Sequence, residues 1–317
     1  MAPPPVPPVA PGSVRPLWSV MIPTFHCAGY LRHTLQSVLA QDPGPDAMQI
    51  EVVDDCSTRD DPEAVVREVG GGRVRFHRKP ENGGATRNFN TCIERSTGQL
   101  VHILHGDDLV MPGFYRRLGE AAAAHADRAL IACRAMCIDE AGVATGITGR
   151  VPSLEAGSDD VSEFLYYVPL RTPCVVVRRR FYEQHGGFLP GLPHTADWEM
   201  WIRVVGRAGG AVLPDVLAQY REFAASDTSR LRRQADNLRD VERIFGLFAR
   251  RYPGFDWRPA KERLTQESAG QAAFFRHCGD AEAYAANRDY FRSVTPMSRR
   301  VAMFLRSYTT RIVDRVL

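Results

Sequence analysis

Two pairs of aspartates follow apolar runs in the first half of the sequence. Asp54 and Asp55 end one run, and Asp107 and Asp108 closely follow another. Carboxylates at the carboxyl ends of neighbouring strands point into the crevice where α/β sheets bind their ligands. Such oxygen ligands suit a divalent cation that bridges a pyrophosphate. A single Asp pair is also typical of a loop cap or turn. The prediction of a cation site therefore depends on the presence of both pairs.

The elements that must position these aspartates alternate between strand and helix. In the first half, short apolar runs predict strands over residues 17–22, 49–53, 73–77 and 100–104. Helical apolar spacing between these runs predicts a mostly parallel sheet covered by helices. Later runs predict strands over 129–138, 174–177 and 211–217, and a helix over 197–205. From about residue 228 onward the pattern is helical.

Composition excludes several classes of protein. The 317 residues carry a net charge of only +3, which does not favour nucleic acid as a partner. No apolar run reaches the length of a membrane span. The seven cysteines show no Cys-x-x-Cys spacing, which is typical of a reduced, cytoplasmic protein with buried thiols.

Proline is concentrated at the start of the chain, where residues 1–16 hold seven of the 22 prolines. This segment lacks the basic and apolar regions of a secretory signal. We expect a flexible or polyproline-like tail that can be removed without loss of activity. A Pro-rich docking motif is the alternative.

The connection between the first strand and the first helix excludes other nucleotide-binding classes. The segment Pro23–Gly29 has neither the Gly-x-Gly-x-x-Gly fingerprint of dinucleotide folds nor a P-loop. A nucleotidyltransferase shares acidic metal sites, but it would also need a Gly-rich phosphate loop here. The sequence therefore gives little support to a dinucleotide-binding fold, a P-loop protein or a nucleotidyltransferase.

A series of motifs in order over residues 17–222 resembles the family 2 glycosyltransferases, which are inverting enzymes of the GT-A fold. The motifs lie at 19–25, 36–41, 52–58, 82–88, 104–108, 186–188 and 196–203. The resemblance implies an α/β GT-A nucleotide-diphospho-sugar transferase domain, a Rossmann-like mixed sheet flanked by helices. It implies nucleotide-sugar binding by residues 17–112, an acceptor side over 113–222, and a helical C-terminal extension over 223–317.

The resemblance also implies a set of donor-binding residues. Pro23 and Phe25 fall where the family holds the base and ribose, and Phe25 could stack on the base. Asp55 matches a residue that contacts the base, commonly uracil N3, and Arg87 matches an arginine near the nucleotide. Asp107 matches the metal-binding aspartate of the Asp-x-Asp motif. UDP is the first expectation for the nucleotide and dTDP the second.

On the acceptor side, Asp197 matches the general base of the family. An inverting transfer needs one carboxylate to deprotonate the acceptor hydroxyl as it attacks an oxocarbenium-like centre. The residues alone also allow Asp197 to be the N-cap of a helix that begins at Trp198. His194, Trp198 and Glu199 are the other acceptor-side candidates. Their alternatives are a bystander histidine, a core tryptophan and a residue that orients the helix.

Two departures from the family pattern concern the metal. His105 stands where the first aspartate of Asp-x-Asp is usual, and Phe223 stands where many relatives carry a histidine. We expect a shell of Asp107, Asp108 and His105 around Mn²⁺ or Mg²⁺, although imidazole is a poor Mg²⁺ ligand. A non-catalytic glycan- or nucleotide-binding module on the same fold is the alternative function.

The last segment, residues 298–317, places apolar residues roughly on one face among five arginines. Packing of this segment on its own domain or on a second subunit is the favoured interpretation. The alternative is contact with the inner face of the membrane, because a basic amphipathic helix can lie on an anionic membrane surface. The expected acceptor is a glycan, lipid-linked or small-molecule hydroxyl in bacterial glycan or glycoconjugate synthesis.

Overall fold

The computed structural model describes residues 2–155 and 157–300. The chain divides into two compact units, Met1–Phe223 and Ala224–Leu317.

The first half of unit 1 is a parallel sheet with helical crossovers. Its elements are β1 (Trp18–Thr24), α1 (Ala28–Leu39), β2 (Met48–Asp54), α2 (Pro62–Gly70), β3 (Arg75–Arg78), α3 (Ala85–Arg95) and β4 (Leu100–Ile103). Every residue of β1 and β2 is buried, as expected for parallel strands covered on both faces. Local signals fix α2, because Asp61 caps its N-terminus and left-handed Gly71 ends it.

The second half of unit 1 adds strands of mixed direction. Its elements are β5 (Leu109–Val110), α4 (Phe114–Ala124), β6 (Leu130–Ile138), β7 (Ala144–Ile147), α5 (Pro152–Glu155), β8 (Val175–Arg178), α6 (Arg179–His185), α7 (Ala196–Ala208) and β9 (Gly210–Arg221). Single 3₁₀ turns lie at Ser162–Phe164 and Thr172–Cys174.

The strands form one mixed sheet in the order β3-β2-β1-β4-β8-β6-β9-β5, with β7 beside β6. β4 and β8 pair antiparallel, whereas β6 and β9 pair parallel. Each strand predicted from the sequence overlaps an observed strand, so the predicted α/β class with a mixed sheet is confirmed. The carboxyl ends of β1 and β4 are joined where the Gly106 amide donates to the Pro23 carbonyl at 3.1 Å.

The proline-rich start corrects an expectation. The Val6 side chain is buried, with 5% exposure. The Pro4 carbonyl accepts from the Gly187 amide at 2.9 Å, and the Pro7 carbonyl accepts from Arg179 at 3.2 Å. Residues 4–7 therefore pack against unit 1, and a free flexible tail over all of residues 1–16 is wrong. Proline cannot join a ladder as a donor, but its carbonyl still accepts hydrogen bonds.

Unit 2 is helical, with α8 (Asp227–Arg233), α9 (Asp236–Arg251), α10 (Trp257–His277) and α11 (Ala281–Val294). Side chains of Ser226, Asp256 and Asp280 cap three of these helices. The predicted amphipathic face over 298–317 falls almost entirely outside the described residues. Within the described ranges, no helix is long and apolar enough to cross a membrane.

Candidate active site

The turn after β4 brings three metal-type ligands together. The ligand atoms of His105, Asp107 and Asp108 all lie within 4.8 Å of one another. Gly106 lets the turn approach the loop after β1, because a Cβ there would lie 2.9 Å from the Cys27 sulfur. The structure therefore brings together the three residues that the sequence analysis grouped as metal ligands.

Asp108 fixes the turn from within. Its side chain is buried, and Oδ1 accepts from the Arg221 amide at 2.9 Å. The Thr34 hydroxyl donates to the Asp108 carbonyl at 2.8 Å. Arg221 Nε donates to the Asp107 carbonyl at 3.0 Å, and its guanidinium lies over the Tyr30 ring. β9 and α1 thus hold Asp107 at the end of β4.

The chemistry of this cluster fits a divalent cation. His105 Nε2 and Asp108 Oδ2 are buried and have no hydrogen-bond partner among the described residues. Burial, followed by the charge of Asp108, raises the pKa of Asp107. Burial lowers the pKa of His105, but the hydrogen bond and charge of Asp108 outweigh burial and leave it raised. His105 Nδ1 lies 3.4 Å from Asp108 Oδ2. Two carboxylates and an imidazole grouped in this way suit Mn²⁺ well and Mg²⁺ less well.

The first aspartate pair organises the neighbouring loop. Asp54 is fully buried and accepts hydrogen bonds within its own loop. Asp55 Oδ1 accepts from Lys79 Nζ at 2.5 Å and the Gly83 amide at 3.0 Å, while Oδ2 accepts from the Gly84 amide at 2.8 Å. The carboxylate therefore holds the start of α3 against the end of β2. Its predicted contact with a base stays a prediction.

The other donor-side candidates lie around the same sheet edge. Pro23 is buried in β1, whereas the Phe25 ring is 43% exposed and stacks on His26 with centroids 3.8 Å apart. His26 is tied to the loop after β2, because its Nε2 accepts from the Thr58 amide at 3.0 Å. Arg87 has an exposed side chain in the first turn of α3. Phe25 and Arg87 are thus open to a ligand.

Asp197 lies in the first turn of α7, whose N-cap is Thr195. The alternative that Asp197 itself caps the helix is therefore wrong. Its Oδ1 accepts from the Trp198 amide at 2.7 Å, and its Oδ2 lies 3.4 Å from the Thr172 hydroxyl. A carboxylate at a helix N-terminus is held in a fixed orientation and stabilised by the helix dipole.

The electrostatic surroundings of Asp197 connect it to the metal-type cluster. Burial raises the pKa of the Asp197 carboxyl, and the nearby charges of His194, His105 and Arg171 partly oppose that effect. His194 is half-buried. Each of the charges of His105 and Asp197 affects the pKa of the other group, so the end of β4 and the start of α7 lie near one another.

Two acceptor-side candidates lie in the core instead. Trp198 is 1% exposed, and its indole Nε1 donates to the Phe164 carbonyl at 2.6 Å. Glu199 is 0% exposed and pairs with Arg203, with Nε to Oε1 at 3.0 Å. Neither side chain is available to an acceptor in this structure. The structure therefore agrees with the alternatives of a core tryptophan and of a residue that orients the helix.

Arg171 is a residue that the sequence did not single out. Its guanidinium lies over the Tyr220 ring, with Cζ 5.4 Å from the centroid. Its charge acts on Asp197. No spacing motif marks it, since the segment before β8 meets α7 only in the folded chain.

The parallel half ends in carboxylates, and the mixed half supplies a carboxylate at a helix N-terminus. Solved structures that resemble this chain are glycosyltransferases of the GT-A fold. One is S. aureus TarS 1–349 in complex with UDP-GlcNAc, with 16% identity, TM-score 0.55 and coverage of 87% of this chain and 90% of that one. Another is the mannosyltransferase PcManGT from Pyrobaculum calidifontis with GDP-Man and Mn²⁺, with 19% identity, TM-score 0.54 and coverage of 97% and 87%. These likenesses establish the fold.

The sequence model described as glycosyl transferase family 2 matches residues 19–186, more than half of the chain. The chain belongs to that family and is a glycosyltransferase. Among its relatives is an uncharacterized glycosyltransferase, RT0329 of Rickettsia typhi, 23% identical over 271 residues, covering 85% of this chain and 83% of the relative. The amylovoran biosynthesis glycosyltransferase AmsE of Erwinia amylovora is 25% identical over 169 residues, covering 53% and 60%.

Proposed function

We propose that this glycosyltransferase moves a sugar from a nucleotide-diphosphate donor to an acceptor hydroxyl by a single displacement with inversion. The observation that carries the proposal is the placement of Asp197 within electrostatic reach of the His105, Asp107 and Asp108 cluster. A base and a site for a charged diphosphate must face one another for an in-line displacement.

The donor occupies the carboxyl ends of β1, β2 and β4, in residues 17–112. UDP is the favoured nucleotide and dTDP the next. The exposed Phe25 ring supports stacking on the base, and the exposed Arg87 guanidinium supports an interaction with phosphate. Pro23 and Asp55 shape this part of the site, because Pro23 lies near the end of β1 and Asp55 orders the loop before α3. The TarS neighbour was solved with UDP-GlcNAc, whereas PcManGT was solved with GDP-Man. Binding measurements with a panel of nucleotides would therefore identify the donor nucleotide of this chain.

In the reaction, Asp197 accepts the proton of the acceptor hydroxyl while that oxygen attacks the anomeric carbon. The bond between this carbon and the diphosphate oxygen breaks, and the diphosphate leaves with the electron pair. The charges of His194 and Arg171 help to keep Asp197 ionised in its buried position. His105, Asp107 and Asp108 would hold Mn²⁺ or Mg²⁺, which neutralises charge on the leaving diphosphate when bound.

The acceptor side comprises residues 113–222, which include His194 beside Asp197. We place the reaction in bacterial glycan or glycoconjugate synthesis, on a glycan, lipid-linked or small-molecule hydroxyl. The support is the likeness to the relative named for amylovoran biosynthesis. Peripheral membrane contact and self-association through the C-terminal helices stay predictions.

The test separates base from donor site. Asp197→Asn should keep the affinity for UDP and Mn²⁺, measured by calorimetry, while transfer falls by about 100-fold or more. Asp107→Ala should weaken nucleotide and Mn²⁺ binding together. Asp215→Asn is the matched control, since it removes a carboxylate that only pairs with Arg117. Transfer at the wild-type rate by Asp197→Asn would contradict the proposal.

A further inference from the structure

Arg171 lies close to the proposed base, because the next residue of the chain, Thr172, contacts Asp197. It directly precedes the turn Thr172–Cys174, and the Thr172 hydroxyl lies 3.4 Å from Asp197 Oδ2. The guanidinium packs on Tyr220 of β9. The turn before β8, the start of α7 and β9 therefore come together near Arg171.

The Arg171 guanidinium lacks the partners that other inward-facing arginines have. Its Nε is buried and has no hydrogen-bond partner, and it forms no ion pair, within the described part of the chain. By contrast, Arg203 pairs with Glu199 and donates to the Gly187 carbonyl at 2.7 Å. Arg179 Nε donates to the Ser96 carbonyl at 2.7 Å. The absence of a partner is thus particular to Arg171.

Arg171 is half-buried and its Nε is shielded from water, so the cation is unfavourable there unless a ligand completes its hydrogen bonds. Arginine stays charged at any pH at which proteins fold, so it cannot neutralise itself as a buried lysine can. A buried charge is normally paired or hydrogen-bonded, because desolvation without a partner is expensive. A site that keeps such a charge beside its catalytic carboxylate is suited to a ligand that brings the counter-charge.

The planar fork of a guanidinium matches carboxylate and phosphate oxygens. We propose that Arg171 binds an oxyanion of the substrate beside Asp197. The oxyanion is either the diphosphate of the donor or a charged group, carboxylate or phosphate, on the acceptor. This inference rests on the proposed transfer reaction and deepens it, because it requires a negatively charged group at this point of the crevice.

The experiment uses the full chain and three variants, Arg171→Gln, Arg171→Lys and Arg116→Gln. Arg116 is the control because its side chain is exposed and pairs only with Glu120 one helical turn away. Calorimetry compares UDP with uridine in the presence of Mn²⁺, and it compares glucuronate and inorganic phosphate with glucose. UDP and uridine differ in the charged diphosphate, and glucuronate and glucose differ in the charged carboxylate, while inorganic phosphate tests the oxyanion alone.

Arg171→Gln should weaken at least one charged probe by about tenfold or more, as expected for loss of a charge-assisted hydrogen bond. Binding of uridine and glucose should not change, and Arg171→Lys should retain part of the affinity. A loss confined to UDP assigns the oxyanion to the donor. A loss confined to glucuronate or phosphate assigns it to the acceptor.

Thermal melts without ligand separate binding from a structural role. Removing an unpaired charge should leave Arg171→Gln at least as stable as the wild type, whereas a structural role lowers its melting temperature. Wild-type affinity of Arg171→Gln for every charged probe would overturn the inference. A wild-type chain that binds no nucleoside diphosphate would instead overturn the proposed function, so the two failures are distinguishable.

Discussion

The buried pair of Glu199 and Arg203 on α7 gives a prediction that distinguishes a structural role from an acceptor contact. Glu199 is 0% exposed, and Arg203 is 5% exposed. Arg203 also donates to the carbonyls of His185 and Gly187, so the pair ties α7 to the segment after α6. Glu199→Ala would leave the Arg203 charge buried without its carboxylate.

The magnitude follows from burial. Removing one partner of a buried pair costs about 3–5 kcal/mol, because the remaining charge is desolvated and uncompensated. For a unit of this size, that corresponds to a fall in melting temperature of about 6–20 °C. The chain offers a matched control in Arg116 and Glu120, which have the same i,i+4 spacing but are 68% and 54% exposed. Glu120→Ala should cost less than about 1 kcal/mol.

The assay is unfolding by urea and by heat, with transfer activity measured at a temperature where both variants are folded. Glu199→Ala should lose stability and keep the affinity for acceptor. A variant that stays as stable as Glu120→Ala but loses affinity for acceptor would refute the structural role. That outcome would restore the acceptor contact expected from the sequence.

Three further predictions concern stability. Burial lowers the pKa of His102 from 6.5 to about 3, so the unfolded chain binds more protons between these values. The free energy of unfolding should therefore fall by about 1.4 kcal/mol per pH unit as the pH drops through this window. Urea unfolding at several pH values should show a weaker dependence of that free energy on pH for His102→Gln than for the wild type. Deleting residues 2–8 should lower the melting temperature through the loss of buried Val6, worth about 1.5–2 kcal/mol, and an unchanged melt would contradict the packed start. Cys56 has a φ of 64°, and its thiol donates to the Pro80 carbonyl at 3.7 Å. Cys56→Gly should raise the free energy of unfolding by up to about 1 kcal/mol, and a decrease would show that the thiol contact outweighs the backbone strain.

The parallel half of the fold was predictable because each buried strand is a short apolar run bounded by turn residues. β5 and β7 were not predicted, since one is two residues long and the other is exposed throughout. The start of the chain was misread for a physical reason. The density of prolines shows that the segment cannot form a helix or an inner strand. It does not show whether the Val6 side chain is buried against the rest of the domain.

The site was predictable where sequence position alone decides it. Asp107 and Asp108 follow a strand directly, so the edge of the sheet brings them together with His105. The side of α7 that faces inward depends on packing against distant elements, so the sequence left both an acceptor contact and a structural role open for Glu199. Arg171 meets Asp197 only through tertiary structure, so no local pattern could have indicated it.

The central claim is a single displacement at the anomeric carbon with Asp197 as the base. The most direct measurement is the anomeric configuration of the first product formed from the donor identified in the nucleotide panel, read by proton NMR. The account predicts a product whose configuration is inverted relative to the donor. Retention of configuration would contradict it, because a single in-line displacement must invert the anomeric carbon.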